Sequence, residues 1–320
     1  MREFKGAAIY VINKSFATIE NNTIQNHVDV DGVIHIGSTS TDESYADISG
    51  NTIQNNTTDF GTGGIKVTAA SSADITNNTI TDNVGLGDYS AGGITISKNS
   101  QANILNNTLT GNSAKSNGAI VIHDESDANI ADNTITGNSA GDAEENYGTG
   151  GGVTVTYNST ADISDNIISE NEAWSLNHGG GGIYISYSST VTINNNQITN
   201  NTAYRYGGGI YVRFNDNYVT ITNNEITGNQ ADGYGAANGG GVYLRNIVEA
   251  YLYGNSVTDN WAEKYCGGIY IDNSVAVLKG SNNEDWAVMN YPPQEEIHNI
   301  YSNNTHGDDT YMGAHVFFDN

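Results

Sequence analysis

Cysteine, proline and positive charge are all scarce in this chain of 320 residues. The single cysteine, Cys266, excludes an internal disulfide, so the fold has to be stabilised without covalent cross-links. Only 11 lysines and arginines stand against 36 acidic residues, which gives a formal net charge of −25 and a pI near 4.2. Because phosphate binding needs a basic surface, this balance argues against a nucleic acid partner.

Long apolar runs are also missing, so we expect no transmembrane segment. The N-terminus enters a repeat at once, without the apolar stretch of a signal peptide. We expect that Met1 was added to a mature or excised region of a longer protein. The acidic composition suits a soluble extracellular molecule, although acidity alone does not name a function.

What the chain has in abundance is an internal repeat with a glycine-led apolar run. The first inward aliphatic residues of these runs are spaced 25 to 33 residues apart. A second aliphatic marker follows, ten residues later in seven of the ten units, and a third follows five residues after the second. The first markers are Ile9, Ile34, Ile65, Ile94, Ile120, Val153, Ile183, Ile210, Val242 and Ile269.

Around each marker apolar and polar residues alternate, which predicts strands with one buried face. Three short strands per unit, too few for a propeller blade, predict a solenoid in which each unit makes one coil and pairs in parallel with the next. After Leu278 the rhythm breaks, resumes at Ile300, and ends in an apparent eleventh first strand at 313–318. We therefore divide the chain into repeats (1–280) and an interrupted last coil or cap (281–320).

Two columns of asparagine punctuate the repeat, three residues after the second marker and three after the third. We predict that they sit in tight bends, where asparagine tolerates a left-handed backbone, and that their amides bond from coil to coil. The first column is Asn22, Asn51, Asn78, Asn107, Asn133, Asn166, Asn196, Asn224 and Asn255. The second is Asn56, Asn83, Asn112, Asn138, Asn171, Asn201, Asn229 and Asn260, with His27 breaking it in the first coil.

These features resemble the right-handed parallel β-helix superfamily over about residues 6–280. The pairing of a Gly-Gly-Ile strand with Ile135-Thr136-Gly137-Asn138 is similar to polymorphic outer-membrane-protein repeats and to adhesin-like surface proteins of archaea and bacteria. The resemblance implies an all-β, right-handed, three-sided parallel β-helix of about ten to eleven coils. It also implies an extracellular or cell-surface location and a ligand face on the glycine-led strands.

On that face the residue after each first marker should point outward, and from the seventh coil onward it is tyrosine. Such an aromatic strip, flanked by arginine, suits the stacking of sugar rings and the pairing of acidic sugars. The alternative is that the tyrosines form a cross-strand ladder with a structural role only. The candidate ligand-binding residues are Tyr184, Tyr211, Arg213, Tyr243, Arg245, Tyr270 and Asp272, with Trp174, Trp261 and Tyr265 from the entering loops.

Catalytic and metal-binding candidates are weaker. Catalysis on a sugar would need a base or a carboxylate pair, and His123 with Asp124 forms the densest cluster, followed by Arg245 with Asp272. An acidic loop with Asp142, Glu144 and Glu145 could hold Ca²⁺ but lacks the spacing of a calcium loop. We expect no cofactor, with calcium as the one alternative.

The sequence therefore favours an adhesin-like binding protein whose partner is a glycan or a cell surface. A lyase, hydrolase or epimerase acting on polysaccharide is the first alternative. A spacer or filament subunit that associates end to end is the second. Thr-x-Thr repeats on the third strand, as at Thr79/Thr81, leave ice binding as a minor third.

Overall fold

The computed structural model describes residues 7–29, 31–38, 43–141, 147–233, 237–274, 276–279, 300–302, 305–306 and 316–319. Within these ranges every regular element is a β-strand, and every pairing between the strands is parallel. No helix in the described part is long and apolar enough to cross a membrane. The predicted parallel solenoid is therefore confirmed.

Each coil contributes four runs rather than the three expected. The glycine-led first run forms the strands Ile9–Val11, Gly32–Ile36, Thr62–Val67, Ile94–Ser97, Ile120–His123, Val153–Val155, Ile183–Ser186, Ile269–Asp272 and Val316–Asp319. The second run forms Phe16–Glu20, Tyr45–Ser49, Ser72–Thr76, Gln101–Leu105, Asp127–Ala131, Thr160–Ser164, Thr190–Asn194 and Ala276–Lys279. Two long strands, Ile210–Thr222 and Val242–Tyr253, span both runs without a break.

The third run forms Thr23–Gln25, Thr52–Gln54, Thr79–Thr81, Thr108–Thr110, Thr134–Thr136, Ile167–Ser169, Gln197–Thr199, Glu225–Thr227, Ser256–Thr258 and Ile300–Ser302. The fourth run, which we did not predict, has only two residues per coil. It forms Val28–Asp29, Thr57–Thr58, Val84–Gly85, Ser113–Ala114, Ser139–Ala140, Glu172–Ala173, Thr202–Ala203, Gln230–Ala231, Trp261–Ala262 and Thr305–His306.

The runs form three sheets, as a three-sided coil requires. From three strands per unit we expected one sheet for each run, but four runs are divided among the three sheets. The first and second runs belong to one 19-stranded sheet, while the third and fourth runs each build a ten-stranded sheet. Ten stacked strands make nine coil-to-coil steps, so the described solenoid has about nine turns rather than ten to eleven. At a strand spacing of about 4.8 Å the stack is roughly 43 Å long.

The core is the column of stacked marker residues. Ile75, Ile104 and Ile130 pair directly with one another and are fully buried. The first markers from Ile9 to Ile269 are likewise in register through the whole series, and Val316 continues it. Because like stacks on like, one set of apolar side chains fills the interior along the whole axis.

Both asparagine columns form the predicted ladders and are buried, except for Asn22, which is exposed at the start of the first column. In a typical step the Asn166 backbone N–H and side-chain Nδ2 both donate to Asn196 Oδ1, at 2.9 and 3.0 Å. The left-handed residue, however, is the one before the ladder asparagine, such as Asn195 at φ 56°. The ladder residues therefore stabilise the bend through hydrogen bonds rather than through their own backbone conformation.

A third ladder, of buried serines ahead of the second run, was not predicted. Each backbone N–H donates to the serine Oγ of the next coil, for example Ser44 to Ser71 at 3.1 Å and Ser100 to Ser126 at 3.2 Å. It lies beside the turn between the first and second runs, where two consecutive residues adopt positive φ, as at Lys98 and Asn99. That turn carries the side chains that matter for the site.

The interruption of the last coil falls between its second and third runs. Leu278 pairs with Leu252, and Ile300 pairs with Ser256, so the coil continues after the break. Residues 280–299, which include most of the expected cap, lie outside the described residues, as do Asp142, Glu144 and Glu145. The division of the chain at residue 280 stays a prediction.

Candidate functional site

The tyrosine column forms in the predicted register but is not an exposed face. Tyr184, Tyr211, Tyr243 and Tyr270 pair in sequence along adjacent first-run strands. They point away from the solenoid core, yet their exposed fractions are only 2, 0, 2 and 2 %. Stacking of sugar rings needs accessible aromatic faces, so the expectation that this strip is an open sugar platform is wrong in its accessibility.

The loops that enter the first run cover the column and turn it into a second small core. Tyr206 packs between Tyr211 and Tyr243, with ring centroids 5.5 and 5.2 Å away, and Tyr265 lies 6.1 Å from Tyr270. Cys266 belongs to the same cluster. Burial raises the pKa of Tyr211 to about 12, so this phenol stays neutral at physiological pH.

The other strip residues form links around this cluster. Arg245 Nε lies 3.2 Å from Asp272 Oδ2, and the Tyr243 hydroxyl donates to the same carboxylate at 3.0 Å. Trp174 stacks on Tyr204 at 5.5 Å. Trp261 is half-buried and lies on a fourth-run strand. The weaker catalytic pair, Arg245 with Asp272, is thus engaged in holding the tyrosine cluster together.

A cavity opens instead on the middle of the glycine-led face, beginning in coils whose outward residues are not tyrosine but Val121 and Thr154. Its volume is about 360 Å³, and its floor is formed by outward residues of three first-run strands. The floor consists of Val121 and His123, Thr154, and Tyr184 with Ser186. The walls add Asp88, Tyr89, Lys115, Ser116, Asn117, Tyr147, Thr149, Thr156, Tyr157, His178 and Tyr187.

Four tyrosines give this cavity its character, and unlike the ladder they are accessible. The Tyr157 and Tyr187 rings are stacked, with centroids 4.9 Å apart and planes 3° from parallel. Tyr89 meets Tyr157 edge-on at 6.0 Å. The exposed fractions of Tyr89, Tyr147 and Tyr187 are 56, 64 and 39 %. Burial, helped by the Tyr89 hydroxyl, raises the pKa of Tyr157 to about 12.

The backbone under these rings is strained. Tyr157 and Tyr187 occupy the first of the two positive-φ positions in the turn between the first and second runs, at φ 54° and 51°. The stacked turns of other coils place Lys98 and Asp124 there. Bulky side chains avoid this conformation, which costs about 1–2 kcal/mol per residue. Such strain is typical of positions kept for function.

Two histidines complete the lining. His123 Nδ1 lies 3.1 Å from Asp124 Oδ2, and burial lowers the pKa of His123 although Asp124 opposes the shift. His178 Nδ1 lies 2.8 Å from Arg213 Nη1, and burial together with the guanidinium lowers the pKa of His178 to about 4. Both imidazoles are therefore neutral at physiological pH.

Only some of the predicted site residues therefore lie at the cavity. The catalytic candidate His123 lies in the cavity lining, and Asp124 contacts it from outside the lining. Tyr184 is the one proposed ligand residue in the lining. Arg213 reaches it indirectly, through His178. Tyr89, Tyr147, Tyr157, Tyr187 and His178 were missed. The aromatic residues Tyr157, Tyr187 and Phe214 were a readable signal, because in other coils the same turn position holds Lys, Asn, Asp or Ala.

The predicted calcium residues Asp142, Glu144 and Glu145 lie outside the described residues, so the calcium site stays a prediction. Among the described residues no three His, Cys, Asp or Glu side chains lie close enough together to hold a metal ion. The cavity has neutral histidines, hydroxyls and aromatic rings as its main lining. This chemistry is that of a site for an organic ligand.

Fold and site together define a class: a parallel β-solenoid of sequence repeats with a loop-walled cavity on one face. The sequence model of the right-handed beta helix region matches residues 2–168 and 147–320, and the chain belongs to that family. No curated protein and no solved structure gives a significant match. Since one fold hosts many activities, membership of the family does not name a function.

Proposed function

We propose that this protein is an extracellular or cell-surface glycan-binding protein, adhesin-like in its action, and that the tyrosine-walled cavity is its binding site. The observation that carries the proposal is the set of accessible tyrosines, two of them stacked and backbone-strained, around a cavity of about 360 Å³. Cavities of about 300–1,000 Å³ hold small ligands, and aromatic rings stack on the apolar faces of sugars.

The hydroxyl groups of the lining support the same conclusion. Thr154, Thr156 and Ser186 bring side-chain hydroxyls to the cavity, and the Thr156 and Ser186 hydroxyls lie 2.8 Å apart. Hydroxyls both donate and accept, so they suit a ligand rich in hydroxyls. Rigid first-run strands fix these groups in place, while the walls come from loops of variable length.

A glycan array read with the labelled protein tests the proposal. The wild-type protein should bind a defined subset of glycans, and the double variant Tyr157→Ala/Tyr187→Ala should lose at least about tenfold in affinity. Tyr218→Ala, at an exposed tyrosine outside the cavity, is the matched control and should bind as the wild type does. Equal binding by wild type and double variant would exclude the cavity as the site.

A second candidate function, cleavage of the bound glycan, is favoured by one observation. His123 with its Asp124 carboxylate has the arrangement of a general base held by an orienting acid, and it lies in the cavity. Glycans that bind on the array should then be incubated with the protein and assayed for new reducing ends or unsaturated uronates. Product that disappears in His123→Gln would establish an enzyme, and binding without product establishes an adhesin.

A further inference from the structure

The hydrogen on the His123 ring can be placed from its partner. A carboxylate only accepts hydrogen bonds, so the Nδ1 atom that lies 3.1 Å from Asp124 Oδ2 carries the ring hydrogen. In a neutral imidazole the other nitrogen, Nε2, is then an acceptor. His123 therefore offers the cavity a hydrogen-bond acceptor.

The His178 ring carries its hydrogen on the opposite nitrogen. A guanidinium only donates, so the Nδ1 atom that lies 2.8 Å from Arg213 Nη1 accepts, and the ring hydrogen sits on Nε2. The Tyr184 hydroxyl lies 3.4 Å from the same Nδ1. Arg213 also donates to the Asn177 carbonyl at 2.5 Å, and the backbone N–H of His178 donates to Ser175 Oγ at 3.0 Å, so the loop is fixed. His178 therefore offers the cavity a donor.

We infer that these two neutral histidines of opposite tautomer make the cavity selective for an uncharged sugar unit over an acidic one. The inference rests on the proposed function. A sugar hydroxyl can donate to His123, and a second oxygen of the same unit can accept from His178. A site built to pair a hydroxyl discriminates strongly against an analogue that leaves its polar groups unpaired.

An acidic sugar fits the same groups poorly. A carboxylate has no hydrogen to give to His123, and it would approach the negative charge of Asp124. Lys115, the lysine in the lining, is balanced by Asp88 at 4.0 Å. The net charge of −25 adds a general repulsion of polyanions. The arginine-rich strip that suggested acidic ligands lies under its own loops, with Arg245 bound to Asp272.

The surroundings keep both rings neutral. Lys66 and Lys98 act on His123 in the same direction as burial, against the opposing effect of Asp124. Arg213 acts on His178 in the same direction as burial. The tautomer pair is thus present in the free protein before any ligand arrives.

A nitrogen-15 NMR spectrum of the histidine rings in the full chain tests the pair directly, without any ligand. The chain has seven histidines, and the signals that vanish in His123→Gln and His178→Gln assign the two of interest. At neutral pH we expect His123 with its hydrogen on Nδ1 and His178 with its hydrogen on Nε2. Two rings of the same tautomer, or either ring protonated, would overturn the inference.

Arg213→Met should release His178, so that its two tautomers exchange. Arg245→Met is the matched control, because Arg245 occupies the position equivalent to Arg213 on the neighbouring strand and does not line the cavity. It should leave the His178 signal unchanged. A His178 signal that stays fixed in Arg213→Met would show that the guanidinium does not set the tautomer.

The ligand class is tested with glycans that differ only at C6 of each sugar unit, such as α-1,4-linked galactose oligomers and α-1,4-linked oligogalacturonates, printed on one array. Neutral members should bind the wild type at least about tenfold more tightly than their acidic counterparts, and His123→Gln should narrow that ratio. Equal or tighter binding of the acidic members would overturn the selectivity. If no glycan binds, the proposed function fails, while the NMR result still decides whether the tautomer pair exists.

Discussion

A ladder asparagine satisfies the backbone of two coils at once. Asn196 Nδ2 donates to the Ile163 carbonyl of the coil before at 2.8 Å and to Asn224 Oδ1 of the coil after at 3.0 Å. Its Oδ1 accepts from both the backbone and the side chain of Asn166. Polar backbone groups inside the bend would otherwise be buried without partners, which costs about 1–3 kcal/mol for each group.

Replacing one ladder residue should therefore lower the stability of the fold strongly, whereas replacing its exposed neighbour should change the stability little. Asn196→Ala strands donors on Asn166 and an acceptor on Ile163, and we expect a loss of about 3 kcal/mol in the free energy of unfolding. Asn195→Gly, at φ 56°, should change stability by less than about 1 kcal/mol because glycine accepts that conformation. Urea denaturation measures both. Similar losses in the two variants would contradict the ladder's role.

His178 predicts a pH dependence of stability. Its pKa in the folded chain is about 4, below its ordinary value of 6.5, so between these values the unfolded chain binds more protons than the folded one. The contribution of the neutral ring is complete above about pH 6.5 and is lost as the pH falls through about 4. Other groups also titrate in this range, so a matched variant is needed to isolate the effect of one ring.

That variant is His178→Gln, which keeps a neutral polar side chain but cannot take up a proton. Relative to the wild type, it should gain melting temperature on going from about pH 7 to about pH 4. Thermal unfolding followed by circular dichroism at both pH values gives the comparison. A difference between wild type and variant that is independent of pH would show that the ring is not protonated in this range.

At the scale of the structural elements, the covered tyrosine column gives the glycine-led sheet a second apolar layer in its C-terminal half. Tyr211 stacks on Tyr243 at 5.0 Å and contacts Tyr184 at 5.6 Å. The entering loops dock on this layer through Tyr206 and Tyr265. The column therefore attaches loops to the sheet, and we expect its effect on ligand binding to be indirect.

Tyr211→Ala should accordingly destabilise the fold by about 3–5 kcal/mol, the usual cost of removing a buried aromatic ring. Tyr218→Ala lies on the same long strand but is exposed, and it should cost less than about 1 kcal/mol. Chemical denaturation of the two variants measures the difference. A mild effect of Tyr211→Ala combined with loss of glycan binding would restore the ligand-face interpretation.

The sequence was sufficient for the strands, their register and the asparagine ladders, because each of these repeats from coil to coil. The fourth run was missed since it has two residues, although a buried alanine recurs there, as at Ala140, Ala173 and Ala203. The cavity was missed for a different reason. It depends on how loops of unequal length fold over one face, and Tyr147 or His178 carries no periodic signal that places it.

At the scale of the whole molecule, the dominant property is charge. With a net charge of −25 on 320 residues, like charges repel one another along the stack. The described ion pairs are few, and the pair Lys14–Glu43, for instance, is largely exposed and worth little. Salt should therefore weaken the repulsion among the acidic side chains by more than it weakens the attraction within the ion pairs.

The melting temperature should consequently rise as ionic strength increases from about 0.01 M to about 1 M, over which the screening length falls from about 30 Å to about 3 Å. Differential scanning fluorimetry in sodium chloride measures this. The Asn196→Ala variant should show the same rise from a lower starting point, because its defect is local. A melting temperature that falls with salt would mean that attractive pairs outweigh the repulsion.

We expect a bound sugar to lie against Tyr157 and Tyr187, between His123 and His178. A crystal structure of the protein with a neutral oligosaccharide that binds on the array tests this most directly. We predict density for one sugar unit over the stacked tyrosines, with hydroxyl oxygens within hydrogen-bond distance of both imidazoles. Density for the oligosaccharide elsewhere, such as along the threonines of the third run, with an unfilled cavity would contradict it.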